Sequence, residues 1–152
     1  MARPLSDALG ELNHEHAAMS EALEALLHAR RSGAPILEHA ELLRDEFLDH
    51  FGDEEEHLFP ALAALVLNAS AELDELRQSH DGLCGLAVRI AGSARAHGSG
   101  AQLDALIARL DVAYTEHARR EIEVLRKTLE LLSPDQREAL LAQVVARQES
   151  GG

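Results

Sequence analysis

The chain has 152 residues, about one ordinary domain, and only 3% of them are aromatic, with no Trp. Ala, Leu, Glu and Arg dominate, a composition of all-helical proteins that argues against a sheet domain. The net charge of -13, from 27 acidic and 14 basic residues, repels phosphate backbones and anionic bilayers, so neither nucleic acid nor a membrane surface is an expected partner.

The single cysteine, Cys84, rules out an internal disulfide, and the start MARPLSDALGEL lacks the apolar core of a signal peptide. The longest apolar run, Leu58 to Leu67, is interrupted by Pro60 and is too short to span a bilayer. A soluble cytoplasmic protein is the expectation.

Turn signals divide the chain into four long helical segments and a shorter fifth. The breaks are Ser32-Gly33-Ala34-Pro35, Asn68-Ala69-Ser70, His97-Gly98-Ser99-Gly100 and Ser133-Pro134-Asp135. Such short connections make neighbouring helices antiparallel. The expected fold is therefore all-α: a single domain over residues 1–152, an up-down-up-down four-helix bundle over about residues 5–130 with a short appended helix at 134–148. Ser133 caps that helix, Pro134 suits its first position and Gln136 completes a capping box. The tail QESGG is expected to fray.

The first helix carries Leu9, Leu12, His16, Met19, Leu23 and Leu26 at alternating spacings of three and four, one buried stripe with a histidine inside it. His14 lies about 200° around the axis from His16 and faces away. The second stripe is Ile36, Ala40, Leu43, Phe47, His50 and Glu54, and the third is Leu73, Leu76, His80, Leu83 and Ala87. The fourth runs Leu103, Leu106, Leu110, Tyr114, His117, Glu121 and then Val124 or Leu125. His28, His39 and His97 fall off these stripes or at helix ends and are expected at the surface.

One histidine in an apolar stripe is ordinarily a core residue satisfied by a hydrogen bond. Four helices each placing one there, two of them with a carboxylate one turn later, point instead to a cation. Burying ionised Glu54 and Glu121 without one costs several kcal/mol or forces neutralisation. The pattern also repeats: FLDHFGDEEEHL aligns with YTEHARREIEVL, matching Phe47 to Tyr114, His50 to His117 and Glu54 to Glu121, while Leu12, His16 and Met19 match Leu76, His80 and Leu83. Two helix pairs related by a pseudo-two-fold axis suit a binuclear site. Imidazole with carboxylate suits iron, manganese or zinc.

His16, His50-x-x-x-Glu54, His80 and His117-x-x-x-Glu121, in this order on four successive helices, resemble the hemerythrin-like (HHE cation-binding) family. The tract EEEHLFPAL also looks like that family's second helix, where a carboxylate run leads to a kinking proline. The resemblance implies two irons held by these six residues and bridged by both carboxylates and an oxo or hydroxo group. One position stays open on each iron. Oxygen carriers of the family have a fifth histidine four residues after the lone histidine of the third helix, and here that place is Cys84. This departure favours reaction with peroxide, dioxygen or nitric oxide, peroxide decomposition first, over reversible oxygen transport. Small diatomic or peroxide ligands are the implied partners. The alternative is non-catalytic: binding or sensing iron or oxygen, or delivering iron for cluster repair.

Within the acidic run, Glu54 is expected to face the metals, and Asp53, Glu55 and Glu56 the solvent. His57 falls near the same face as His50 but about 10 Å along the axis, beyond the ligand set. Cys84 reads as a small core residue. Tyr114 either packs as Phe47 does in the other half or turns its phenol to the oxygen bridge. A ferritin-like carboxylate bundle fits less well, because the Glu11-x-x-His14 pair points away from its stripe and Tyr114, not Glu, stands three before His117. A zincin protease lacks its second histidine in HEHAA.

Overall fold

The computed structural model describes residues 16–98 and 100–150. Leu9, Glu11, Leu12 and His14 lie outside them, as does the end of the tail. Among the described residues the chain is helical, with no strand. Helix α1 spans Ala17–Arg31, α2 Leu37–Asp53, α3 Phe59–Leu65, α4 Ser70–Arg95, α5 Gly100–Glu130 and α6 Pro134–Ser150. A single π-helical turn, Glu54–Leu58, joins α2 to α3.

Each break anticipated from turn chemistry separates two helices. At the end of α1, Gly33 takes a φ of 75°, the Gly33 N–H donates to the Arg30 carbonyl and the Ala34 N–H to the Ala29 carbonyl. The end of α4 repeats this with His97 at a φ of 53°, His97 N–H donating to Ala94 and Gly98 N–H to Ser93. Both are Schellman closures, which satisfy the last carbonyls of a helix through one left-handed residue. At α6 the capping box forms: the Gln136 N–H donates to Ser133 Oγ and the Ser133 N–H to Gln136 Oε1.

The second helical segment departs from a uniform α-helix. Pro60 has no N–H to donate and its ring crowds the carbonyl four residues back, which a regular α-turn cannot accommodate. The wider π turn lies just before it, a known way of absorbing such a conflict.

The helices form a bundle. α1 packs on α2, α2 on α4, α4 on α5, and α3 on α4. The contacts of Ser20 with Tyr114 and of Arg30 with Asp104 join α1 to α5. Among the described residues, two apolar clusters fill the interior. One gathers Met19, Leu23, Leu26, Leu43, Phe47, Phe51, Leu83, Ile90, Leu110 and Tyr114. The other gathers Phe59, Leu62, Leu73, Leu76, Val124, Leu125 and Leu129, with Leu140 and Leu141 of α6. Buried polar residues interrupt the stripes between them: His80 on α4, His117 and Glu121 on α5, Glu54 at the π turn. No helix among the described residues is long and apolar enough to cross a membrane.

Candidate metal centre

Four of the six residues singled out by the stripes are fully buried: Glu54, His80, His117 and Glu121. His16, at the start of α1, is nearly so, its side chain 13% exposed. These five converge. His16 Nε2 lies 3.1 Å from Glu121 Oε2 and 3.7 Å from Glu54 Oε2. His80 Nε2 lies 3.8 Å from Glu54 Oε1, and His117 Nε2 lies 3.7 Å from Glu121 Oε2. They make two groups whose ligand atoms all fall within 4.8 Å of one another, His80 with His117 and Glu121, and His16 with Glu54 and Glu121. Glu121 belongs to both.

His50 is not brought into either group. Its ring is part-exposed, and its Nε2 is engaged by Glu46 Oε2 one turn earlier at 3.1 Å. The inward place one position later is taken by Phe51, which is buried. A spacing of three or of four from Phe47 continues a helical stripe equally well, so the sequence pattern alone does not choose between His50 and Phe51.

Phe51 and Phe59 wall the site. The His80 ring lies between them, stacked on Phe51 at 3.9 Å between centroids and facing Phe59 at 5.7 Å, with His117 edge-on at 4.7 Å. This dry setting governs the imidazoles. Burial, with His117, His16 and Arg77 adding, lowers His80 to about 3. Burial, with His16 adding, lowers His117 to about 4. Both rings are therefore neutral at physiological pH, the form that ligates metals.

The donor set fits a cation. His117 Nε2 and both ring nitrogens of His80 are buried with no hydrogen-bond partner among the described residues. Such an orphaned buried group is costly unless something else completes it. Neutral imidazole nitrogens facing buried carboxylates, with no thiolate in either group, are the ligand chemistry of iron, manganese or zinc.

The neighbours sort differently. Asp53, Glu55 and Glu56 do not all face solvent alike: Glu56 is exposed, whereas Glu55, one turn after the buried Phe51, is part-buried with its Oε1 3.8 Å from His80 Nδ1. Burial and the nearby Asp81 raise the Glu55 pKa, with Arg77 opposing. His57 faces Asp53 and Glu56 at the surface and joins neither group. Cys84 is half-buried against the first apolar cluster. Tyr114 is buried, stacks on Phe47, and shares a 3.0 Å hydrogen bond with Ser20. His28 and His97 are exposed and His39 is partly so. Ser79, which the stripes did not single out, hydrogen-bonds His117 Nδ1 at 2.8 Å.

A family model described as the hemerythrin HHE cation binding domain matches residues 7–129. No curated protein and no solved structure matches the chain.

Proposed function

The chain belongs to the hemerythrin HHE cation-binding family, and from that premise we propose that it holds two iron ions and decomposes peroxide. The proposed ligands are His16, Glu54, His80, His117 and Glu121, with His50 as a sixth that would have to exchange its Glu46 partner for the ion, within an up-down-up-down four-helix bundle. The observation that carries the reading is the burial of unsatisfied imidazole nitrogens on His80 and His117 against the carboxylates of Glu54 and Glu121.

When bound, a pair of irons supplies redox chemistry toward peroxide, dioxygen or nitric oxide. The chain's own residues supply the rest. Glu121 stands in both groups, its Oε2 facing both His16 and His117, so it would be the residue common to the two halves of the site. Phe51 and Phe59 cover the two faces of the His80 ring and keep water from them, which strengthens the electrostatic contacts there. The Tyr114 hydroxyl engages Ser20, so the reading assigns it packing and no proton transfer. Cys84 stands where oxygen carriers of the family have a fifth histidine, and it belongs to neither ligand group. That favours reaction over reversible carriage.

The test is oxygen release from peroxide by aerobically purified protein of known iron content, compared with Cys84→His at matched iron. Wild type should exceed free iron, and the added imidazole should suppress the activity. A wild type that is inert to peroxide while cycling reversibly between deoxy and oxy spectra would replace this reading with carriage or sensing.

A further inference from the structure

We infer that Ser79 is a positioning residue for His117, fixing the imidazole proton on Nδ1 so that Nε2 is presented to the site. The inference rests on the metal-binding reading above. A neutral imidazole carries one N–H, and the hydrogen bond made by one nitrogen decides which nitrogen is left as the ligand. His117 bonds outward through Nδ1, 2.8 Å from Ser79 Oγ, and its Nε2 is the atom that faces Glu121.

The other half of the internal repeat makes the reverse arrangement. His50, the counterpart of His117, bonds outward through Nε2 to Glu46. His117 is buried beside His80 and Glu121, whereas His50 joins neither group. The two histidines thus differ in which nitrogen their outer partner engages, and the one engaged through Nδ1 is the one whose Nε2 reaches the cluster. Ser79 is placed for this by its neighbour: one residue from His80 on α4, it is turned about 100° from the inward face, toward α5. It lines a groove of about 390 Å³ between α4 and α5, with Gly82 and Arg109.

Because water in that groove can replace a deleted hydroxyl, the test compares Ser79→Thr with Ser79→Val, which match in shape and differ in the hydroxyl. Each full-length variant is loaded with zinc, which is diamagnetic. The His117 ring N–H is followed by nitrogen-15 NMR, and zinc loss to a chelator is timed. Wild type and Ser79→Thr should show a slowly exchanging Nδ1–H. Ser79→Val should lose that signal to fast exchange and release zinc about tenfold faster. Equal spectra and equal release for the Thr and Val variants overturn the role of Ser79. His117→Ala separates the two claims: if it retains zinc like wild type, the metal-binding reading fails and the inference with it. If it loses zinc while the Thr and Val variants match, only the inference fails.

Discussion

The imidazole of His80 lies flat on the ring of Phe51, the two planes 6° from parallel. Phe51 comes from the last turn of α2 and Phe59 from the first residue of α3, so the π turn between them brings an aromatic ring to each side of the histidine. Removing one wall should be felt twice. Phe51→Ala deletes a fully buried ring and should cost about 3–5 kcal/mol of unfolding free energy, readable as a lower urea midpoint. It should also speed metal loss, because His80 would no longer be confined. Phe51→Leu should lie between it and wild type in both measurements.

Metal removal is expected to weaken the fold itself. The interior must otherwise accommodate the unsatisfied nitrogens of His80 and His117 beside two buried carboxylates. Because binding to a folded site adds directly to folding free energy, chelation should lower the melting temperature well beyond the effect of losing a surface ion. Calorimetry before and after verified metal removal measures it, and coincident curves would count against a site in the core.

The bundle, its four breaks and the capping box were legible because they rest on local chemistry: a 3.6-residue period, a glycine able to adopt positive φ at Gly33, a hydroxyl three residues before Gln136. Five of the six proposed ligands converge as their stripe positions imply. What escaped was what depends on register. Glu55, one turn after the buried Phe51, has its Oε1 3.8 Å from His80 Nδ1, which a stripe drawn through His50 and Glu54 does not single out. The choice between His50 and Phe51 is one of packing, since both continue the stripe. Ser79 belongs to no periodic pattern; its role depends on α5 lying beside it, a tertiary contact.

Cys84 should be an unreactive thiol. Burial, then Asp81 and Glu55, pushes it up to about 11, whereas an unfolded cysteine titrates near about 8.5. The raised value favours the neutral form, so its contribution to stability is present below the unfolded value and is lost as the pH rises through the folded one. Near pH 8, alkylation by iodoacetamide should be more than tenfold slower in the folded than in the urea-unfolded protein, since only the thiolate reacts. The folded rate should keep climbing toward about pH 11. A plateau near the unfolded value would show that the thiol is not held in its neutral form.

The appended helix depends on its cap. Ser133→Ala removes the acceptor for the Gln136 N–H and should cost about 1 kcal/mol, with Ser133→Asp restoring it. Leu140 and Leu141 of α6 are buried in the second apolar cluster. The loss should therefore appear in the global urea transition, and a change confined to local fraying would detach α6 from the cooperative unit.

The division of the interior into two apolar clusters has a cost that selection for packing alone would not impose. Filling the polar layer with Leu, Phe and Met of matching volume would fuse the clusters, and such replacements of buried ionic groups are often neutral or stabilising. An apolar version of this protein should therefore outlast the natural one in the absence of metal, while losing any means of telling whether an ion is present. The natural chain instead places the unsatisfied ring nitrogens of His80 and His117 at the layer the ion would clamp. Occupancy would then be written into how readily the middle of the protein breathes, and amide exchange around His80 and Glu121 would report loading without any chemistry taking place.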